Sequence, residues 1–544
     1  MPALELVLGL LVVVALLSLL SHRLAVPYPI VLVLGGLVLA MVPGLPRVDL
    51  APSVVFLVFL PPLIFAGGWS TSIRDFKANR RPIALLSIGL VIATTVGVAA
   101  AAKAVIPGIS WPAAFVIGAI VSPTDALAAT AIFERLRVAR RVVTVLEGES
   151  LLNDATGLIA YRFAVAAVAT GAFSLWDAGV QFVVSGVGGL AVGVAAAWAL
   201  SQAVRRLEDT VVEVTLSFLL PYAVYLAAEQ IHVSGVLAAV AAGLYSGWRS
   251  PQDMSATTRV QAMAVWQMAL FALNGLAFIL IGLQLRTVLE ALRTTSPVEL
   301  LTAAGVISLA AIVIRFAWVF PATYLPRFLS ERIRSRDPYP PWRQVTLVAW
   351  TGMRGVVSLA AALSLPLQTR AGAAFPFRDL IIFLTFAVIL VTLVGQGLTL
   401  PVLIRALGIS AGEEGVQEEA DARFEAIDAA LQRLNELQGE DWTRDDALTY
   451  MRRYYGKRRS MVATRFNRID DDHGTDGHVH PDGADHLADH QERRSSFQRL
   501  QQEMLTAERD ALLQLRNRGS INDQTLRAIQ RDLDLEELRL VAAS

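Results

Sequence analysis

The chain is 544 residues long, 54% hydrophobic and 17% charged, with a mean hydropathy of +0.52 and no cysteine. That balance excludes an ordinary soluble globular protein, and the missing cysteines exclude disulfides and thiol chemistry. The 47 basic and 47 acidic residues cancel, but unevenly: residues 1–408 hold 28 Lys and Arg against 19 Asp and Glu, and residues 409–544 hold 19 against 28. A basic, apolar part, 1–408, is therefore joined to an acidic, polar part, 409–544.

Apolar runs recur from Leu4 to Leu407, many of them near the ~20 residues that a helix needs to cross a bilayer. Thirteen candidate spans follow in chain order: 3–20, 26–44, 51–68, 82–106, 111–133, 142–169, 177–203, 211–228, 232–248, 264–285, 298–326, 343–366 and 378–407. The first has no basic leader or small-residue cleavage site and is read as a retained span. Spans must satisfy their backbone groups internally, so the expected fold is an all-α polytopic membrane protein with a helical bundle. The loops after odd-numbered spans carry 18 Lys and Arg, and those after even-numbered spans carry 6. The positive-inside rule then places the N-terminus outside and the tail in the cytoplasm. Trp111, Trp176, Trp248 and Trp342 read as anchors at the bilayer edge.

Two spans are interrupted. Span 5 carries Ser122-Pro123-Thr124-Asp125, and span 12 carries Thr351-Gly352-Met353-Arg354-Gly355. Broken helices are tolerated at membrane depth only in a protein interior or a wet cavity. Seven spans apart, these two run in opposite directions, which predicts inverted repeats, crossing broken helices and a site near the midplane.

The tail reads as mostly helical, with Gly412–Leu437 and Gln491–Leu515 rich in Ala, Leu, Gln, Glu and Arg. A His- and Asp-rich stretch at 470–490 separates them and holds His473, His478, His480, His486 and His490. Its Gly, Pro and Asp favour a solvated acidic linker over a pH sensor or a zinc or nickel site. The Arg452–Arg459 cluster suits anionic lipid, and no patch suggests nucleic acid.

Depth singles out the chemistry. Asp125 lies ~20 Å along span 5, and Asp154 lies ~18 Å along span 6 from the opposite side. A charge at that depth costs ~3 kcal/mol on insertion scales, so two acids there imply partners or a task. On span 6, Ser150 and Asp154 share a face, as do Glu149 and Asn153. The first pair offers oxygens for a hard cation, and the second offers an ion-pair acceptor and an amide. Desolvation disfavours a charged carboxylate, so a buried one holds either a proton or a cation, and the two exclude each other. That is the minimal chemistry of exchange. A plainer reading has Asp125 and Asp154 merely pairing with Arg315 and Arg354; two acids at equal depth, one on a broken helix, weigh against it. Glu149 is read as structural, in a layer that Arg315 and Arg354 can reach. Arg162, two turns outward of Asp154, has no role in this scheme beyond snorkelling.

GESLLNDATGLIAY (148–161), SPTDALAATAIF (122–133), TGMRGVVSLAAAL (351–363) and FLPPLIFAGGW (59–69) together resemble the cation–proton antiporters of the NhaP/NHE type over roughly residues 4–408. The resemblance implies a homodimer of 13-span protomers in the plasma membrane, each with a dimerisation part and a moving core. It implies that Asp154 carries the cation and the proton, that Asp125 is essential beside it, and that Thr124 and Ser150 add oxygens to a bound Na⁺. Asn153 stands where electrogenic relatives have a second aspartate, which implies electroneutral exchange. Glu149 would pair with Arg315, and Arg354 would steady the broken span 12. Ala66 stands where some relatives carry another carboxylate. The expectation is thus an antiporter exchanging Na⁺ or Li⁺ for H⁺, not an enzyme, with no cofactor. K⁺/H⁺ exchange is the first alternative and a cation channel the second.

Overall fold

The computed structural model describes residues 2–24, 26–43, 55–136, 138–171, 174–207, 209–292, 296–369, 372–409, 414–466 and 487–543. These residues are almost entirely helical and divide into two compact units. The first comprises residues 1–71, 75–249 and 264–410; the second comprises 72–74, 250–263 and 411–544.

Eight helices among the described residues are long and apolar enough to cross a membrane. They are Glu5–Leu24, Arg80–Val105, Arg140–Thr170, Trp176–Val204, Thr210–Gln230, Ala256–Glu290, Pro297–Leu329 and Arg378–Leu407. Tyr28–Ala40, Val55–Ser70 and Trp111–Val121 are shorter apolar helices. The remaining two predicted spans are the Gly235–Asp253 helix and the interrupted pair Trp342–Trp350 and Val356–Leu363.

Local chemistry sets several helix ends. Ser110 caps the 111–121 helix by accepting from the Ala113 amide, and Asp209 caps the 210–230 helix through the amides of Val211 and Val212. Gly171 and Gly408 end their helices at positive φ, 70° and 61°, where a side chain would be strained.

Two apolar clusters form the interior of the first unit. One gathers the 111–121 helix with parts of the 297–329 and 378–390 helices, and Val121 lies in it. The other gathers parts of the 2–24, 28–40 and 256–291 helices, and Met353 lies in it. The two helix interruptions therefore stand where these clusters meet.

The second unit has its own core. The helices Glu414–Glu436, Asp445–Arg465, Leu487–Arg518 and Asp523–Ala543 bury Leu434, Met451, Tyr455, Leu500, Met504 and Leu533. Glu508 is buried there, held by the Tyr455 hydroxyl at 2.8 Å and by Arg458 at 2.7 Å; burial raises its carboxyl above the ordinary range. The 256–291 helix begins eight residues before the predicted span. Its first turns belong to the second unit, where Arg259 grips Asp534, so hydropathy registers only the apolar continuation. The predicted linker falls largely outside the described residues. So do His473, His478, His480 and His486, and the side chain of His490.

Candidate functional site

The site is built on two interruptions that serve one another. Pro123 has no amide hydrogen, and the helix that starts at Trp111 stops at Val121; another begins at Leu127. The second interruption runs over 351–355, between Trp350 and Val356. They are joined directly: the Asp125 amide donates to the Met353 carbonyl at 2.7 Å. Arg354 ties them again, its Nε donating to the Val121 carbonyl at 3.1 Å and its Nη1 to the carbonyl of Gly352. The Arg354 amide donates to Thr392 Oγ1 at 3.2 Å.

Side chains of the 140–170 helix satisfy what remains. The Ala126 amide donates to Ser150 Oγ at 3.3 Å, and Asn153 Nδ2 donates to the Thr124 carbonyl at 3.1 Å. Asp125 Oδ1 accepts from the Leu127 amide at 2.8 Å, starting the 127–136 helix with its own side chain. Buried backbone freed by a helix break must find partners, and here the polar residues of the site supply them.

Glu149 and Arg315 form a two-pronged ion pair, with nitrogen–oxygen distances of 2.5 and 2.8 Å. Both side chains are almost wholly buried, 2% and 1% exposed. Thr124 Oγ1 donates to Glu149 at 2.8 Å and accepts from Asn153 Nδ2 at 2.8 Å. The Val348 carbonyl accepts from Arg315 Nε at 3.2 Å and Nη2 at 3.1 Å. Thr124, Glu149, Asn153 and Arg315 thus form one closed network. Arg354, which sequence reasoning grouped with the Glu149 salt bridge, directs its hydrogen bonds to the carbonyls of the two breaks.

Three positions keep unengaged acceptors. Asp154 is half-buried and makes no hydrogen bond or ion pair among the described residues; Asp125 is close enough for their charges to interact. The Asn153 amide oxygen is buried and has no hydrogen-bond partner among the described residues, its nitrogen being fixed on Thr124. Asp125 Oδ2 lies against the backbone of Gly355, where a Cβ would fall 2.0 Å from it. The hydroxyls of Thr124 and Ser150, expected as cation ligands, each already have a protein partner. Of the three, Asp154 alone has neither oxygen engaged among the described residues.

Sequence reasoning missed the partners that lie far along the chain: the carbonyls of Val121, Val348 and Met353, the Thr392 hydroxyl and the tight seat at Gly355. It also missed the partner of Arg162. Rather than snorkelling alone, Arg162 Nη2 bridges both oxygens of Glu229, at 3.0 and 2.8 Å, across to the 210–230 helix. This pair borders a cavity of about 630 Å³ that reaches Ala155 and Leu158, beside Asp154. An acidic residue at the polar end of that helix is the one sequence signal for it.

An all-helical apolar chain whose interrupted helices cross beside unpaired carboxylates defines a multi-pass membrane transporter built on discontinuous helices. Residues 9–406 match the family described as sodium/hydrogen exchanger, transmembrane. An uncharacterized Na⁺/H⁺ exchanger of Mycobacterium tuberculosis is 35% identical over 98% of this chain and 97% of its own length. The sodium, potassium, lithium and rubidium/H⁺ antiporter of Bacillus subtilis is 32% identical over 93% of this chain and 73% of its own. The fold is similar to that of the sodium proton antiporter MjNhaP1 of Methanocaldococcus jannaschii, with a TM-score of 0.57 and 18% identity over 75% of this chain and 99% of that one. The chain belongs to the transmembrane sodium/hydrogen exchanger family, a family of antiporters.

Proposed function

We propose that this protein exchanges Na⁺ or Li⁺ for H⁺ across the plasma membrane, with cation and proton competing for Asp154. The observation that carries the reading is the state of that carboxylate. Ser150, Thr124, Asn153 and Glu149 each hold a break or the ion-pair network, whereas Asp154 has no hydrogen-bond or ion-pair partner among the described residues. A half-buried carboxylate without a counter-ion is stable with a proton or a hard cation bound, and it cannot hold both. Asp125 and the free Asn153 oxygen would add further acceptors, with Ser150 and Thr124 contributing any lone pair that their present bonds leave.

One carboxylate carrying one charge, beside the neutral Asn153, makes the exchange one-for-one and electroneutral. Alternating access presents Asp154 to each side in turn, in a homodimer. The loop charges put the N-terminus outside and the acidic tail in the cytoplasm as a regulatory part. Because the Bacillus subtilis relative is named for potassium and rubidium as well, K⁺ remains the alternative cargo. Oxygen ligands suit several alkali cations, and cavity size decides among them.

The test is dye-reported proton movement in energised everted vesicles given Na⁺, Li⁺ or K⁺ in turn. Wild type should release the proton gradient with at least one cation, and Asp154→Asn, with protein levels unchanged, should release none. Retained exchange in the variant sinks the reading. Cation conductance without proton coupling would instead favour a channel.

A further inference from the structure

A second charged site lies at the far end of the same helices. Arg81, Arg141, Arg327 and Asp337 face a cavity of about 60 Å³ otherwise lined largely by apolar side chains, among them Leu86 and Val345. These four residues come from the loops and helix ends that the positive-inside pattern assigns to the cytoplasm.

The charges do not balance. Asp337 is fully committed: Oδ1 accepts from Arg141 Nη2 and Oδ2 from Arg327 Nη2, each at 2.5 Å. Arg141 uses its Nε on Asn79, and Arg327 uses its remaining nitrogens on the carbonyls of Asp337 and Thr323. Arg81 has nothing comparable. Both of its terminal nitrogens are buried and have no hydrogen-bond partner among the described residues. Three guanidinium groups thus surround the cavity against one carboxylate, each of whose oxygens accepts from one of the other two. A buried guanidinium edge without an acceptor is unfavourable, and its planar pair of donors matches the oxygens of a phosphate. The cavity exceeds the roughly 10–15 Å³ that a single water needs.

We propose that this pocket binds a phosphate group through Arg81, supplied by an anionic phospholipid headgroup or by free phosphate. Basic pockets between membrane helices on the cytoplasmic side are suited to lipid phosphates, and the apolar lining offers room for the glycerol end of a lipid. The site is separate from the exchange reaction but not isolated from it. Val348 lines the pocket, and its carbonyl braces Arg315 against Glu149. A bound anion therefore steadies the layer that holds the ion-pair network.

The experiment follows thermal unfolding of the full chain in non-ionic detergent by tryptophan fluorescence, at constant ionic strength and without alkali cations. One arm titrates choline phosphate; the other titrates short-chain phosphatidylglycerol against phosphatidylcholine. Wild type should show a saturable rise of the unfolding temperature that Arg81→Gln lacks. A rise with both titrants means that the oxyanion suffices, and a rise with phosphatidylglycerol alone identifies the headgroup as the source. The absence of a saturable rise in wild type, or an undiminished rise in Arg81→Gln, overturns the proposal. Should Arg81→Gln not fold, Arg81→Lys keeps the charge but loses the fork, and its half-saturation concentration should rise several-fold. An unchanged value there overturns the proposal equally.

Discussion

Glu149 and Asp154 lie five residues apart on one helix, and the protein treats them in opposite ways. Glu149 is sealed from solvent with Arg315, takes two charge-assisted bonds and receives a third from Thr124. Asp154 is half-buried, next in sequence to Ala155 in the lining of the large cavity, and receives none among the described residues. A buried ion pair is a poor source of net stability, because desolvating two charges offsets most of their attraction. Its use here is geometric: it fixes Thr124, and through Thr124 and Asn153 it fixes the first helix break. An acid whose two oxygens are both held by an arginine has no free charge for cargo, whereas an acid near it without such a partner has one. Burial and partners both separate the two roles: the sealed acid is paired and the half-buried one is not.

The largest expected effect on stability breaks the sealed side of that contrast. Glu149→Gln leaves the Arg315 guanidinium buried without a countercharge, a loss on the order of 3–5 kcal/mol for a broken buried pair. The unfolding temperature of purified protein should fall markedly. Asp154→Asn removes a charge that has no partner and should leave that temperature unchanged or raise it. If Glu149→Gln keeps wild-type stability and loses exchange, Glu149 belongs to the cargo site and the division between the two acids fails.

Gly355→Ala tests the seat of the third carboxylate. The added Cβ would stand 2.0 Å from Asp125 Oδ2, so the carboxylate or the break must shift. Overpacking of this kind costs about 1–3 kcal/mol. The variant should be moderately less stable and should exchange more slowly, because Asp125 anchors the crossing through Met353. Exchange and stability equal to wild type would mean that the two segments are not in contact as described.

Much of this architecture is legible in the chain because it follows from short-range rules. Pro123 and the glycines at 352 and 355 announce breaks. The 3.6-residue repeat assigns Ser150 and Asp154 to one face of their helix. Counting along spans puts Glu149 and Arg315 in one layer. What is not legible is what faces each group from a distant span. Ser150 reads as a cation ligand because it shares a helix face with Asp154, and Thr124 because the family resemblance implies it. The Ala126 amide and Glu149 already engage them, and only the crossing of the helices reveals this. Arg354 looks like a carboxylate partner by charge, yet the breaks expose carbonyls that claim it first. The start of the 256–291 helix is hidden for a different reason: hydropathy follows the bilayer core, not the helix that continues beyond it.

The smallest expected effect concerns a second ion pair on the same helix. Arg162 reaches both oxygens of Glu229 through the single nitrogen Nη2, where Arg315 meets Glu149 with two, and the Arg162 and Glu229 side chains are 55% and 31% exposed, at the edge of the large cavity. Water and salt screen such a pair, and exposed pairs contribute roughly 0.2–1 kcal/mol. A double-mutant cycle of Arg162→Gln and Glu229→Gln, read by thermal unfolding, should therefore give a coupling energy of at most about 1 kcal/mol, falling as salt rises. A coupling as large as that of the sealed pair, insensitive to salt, would mean that the cavity is closed to water. The pair would then bind the 140–170 and 210–230 helices as firmly as Arg315 holds Glu149. Their relative movement during exchange would have to break it in every cycle, and Arg162→Gln would change the rate of exchange rather than the stability of the protein.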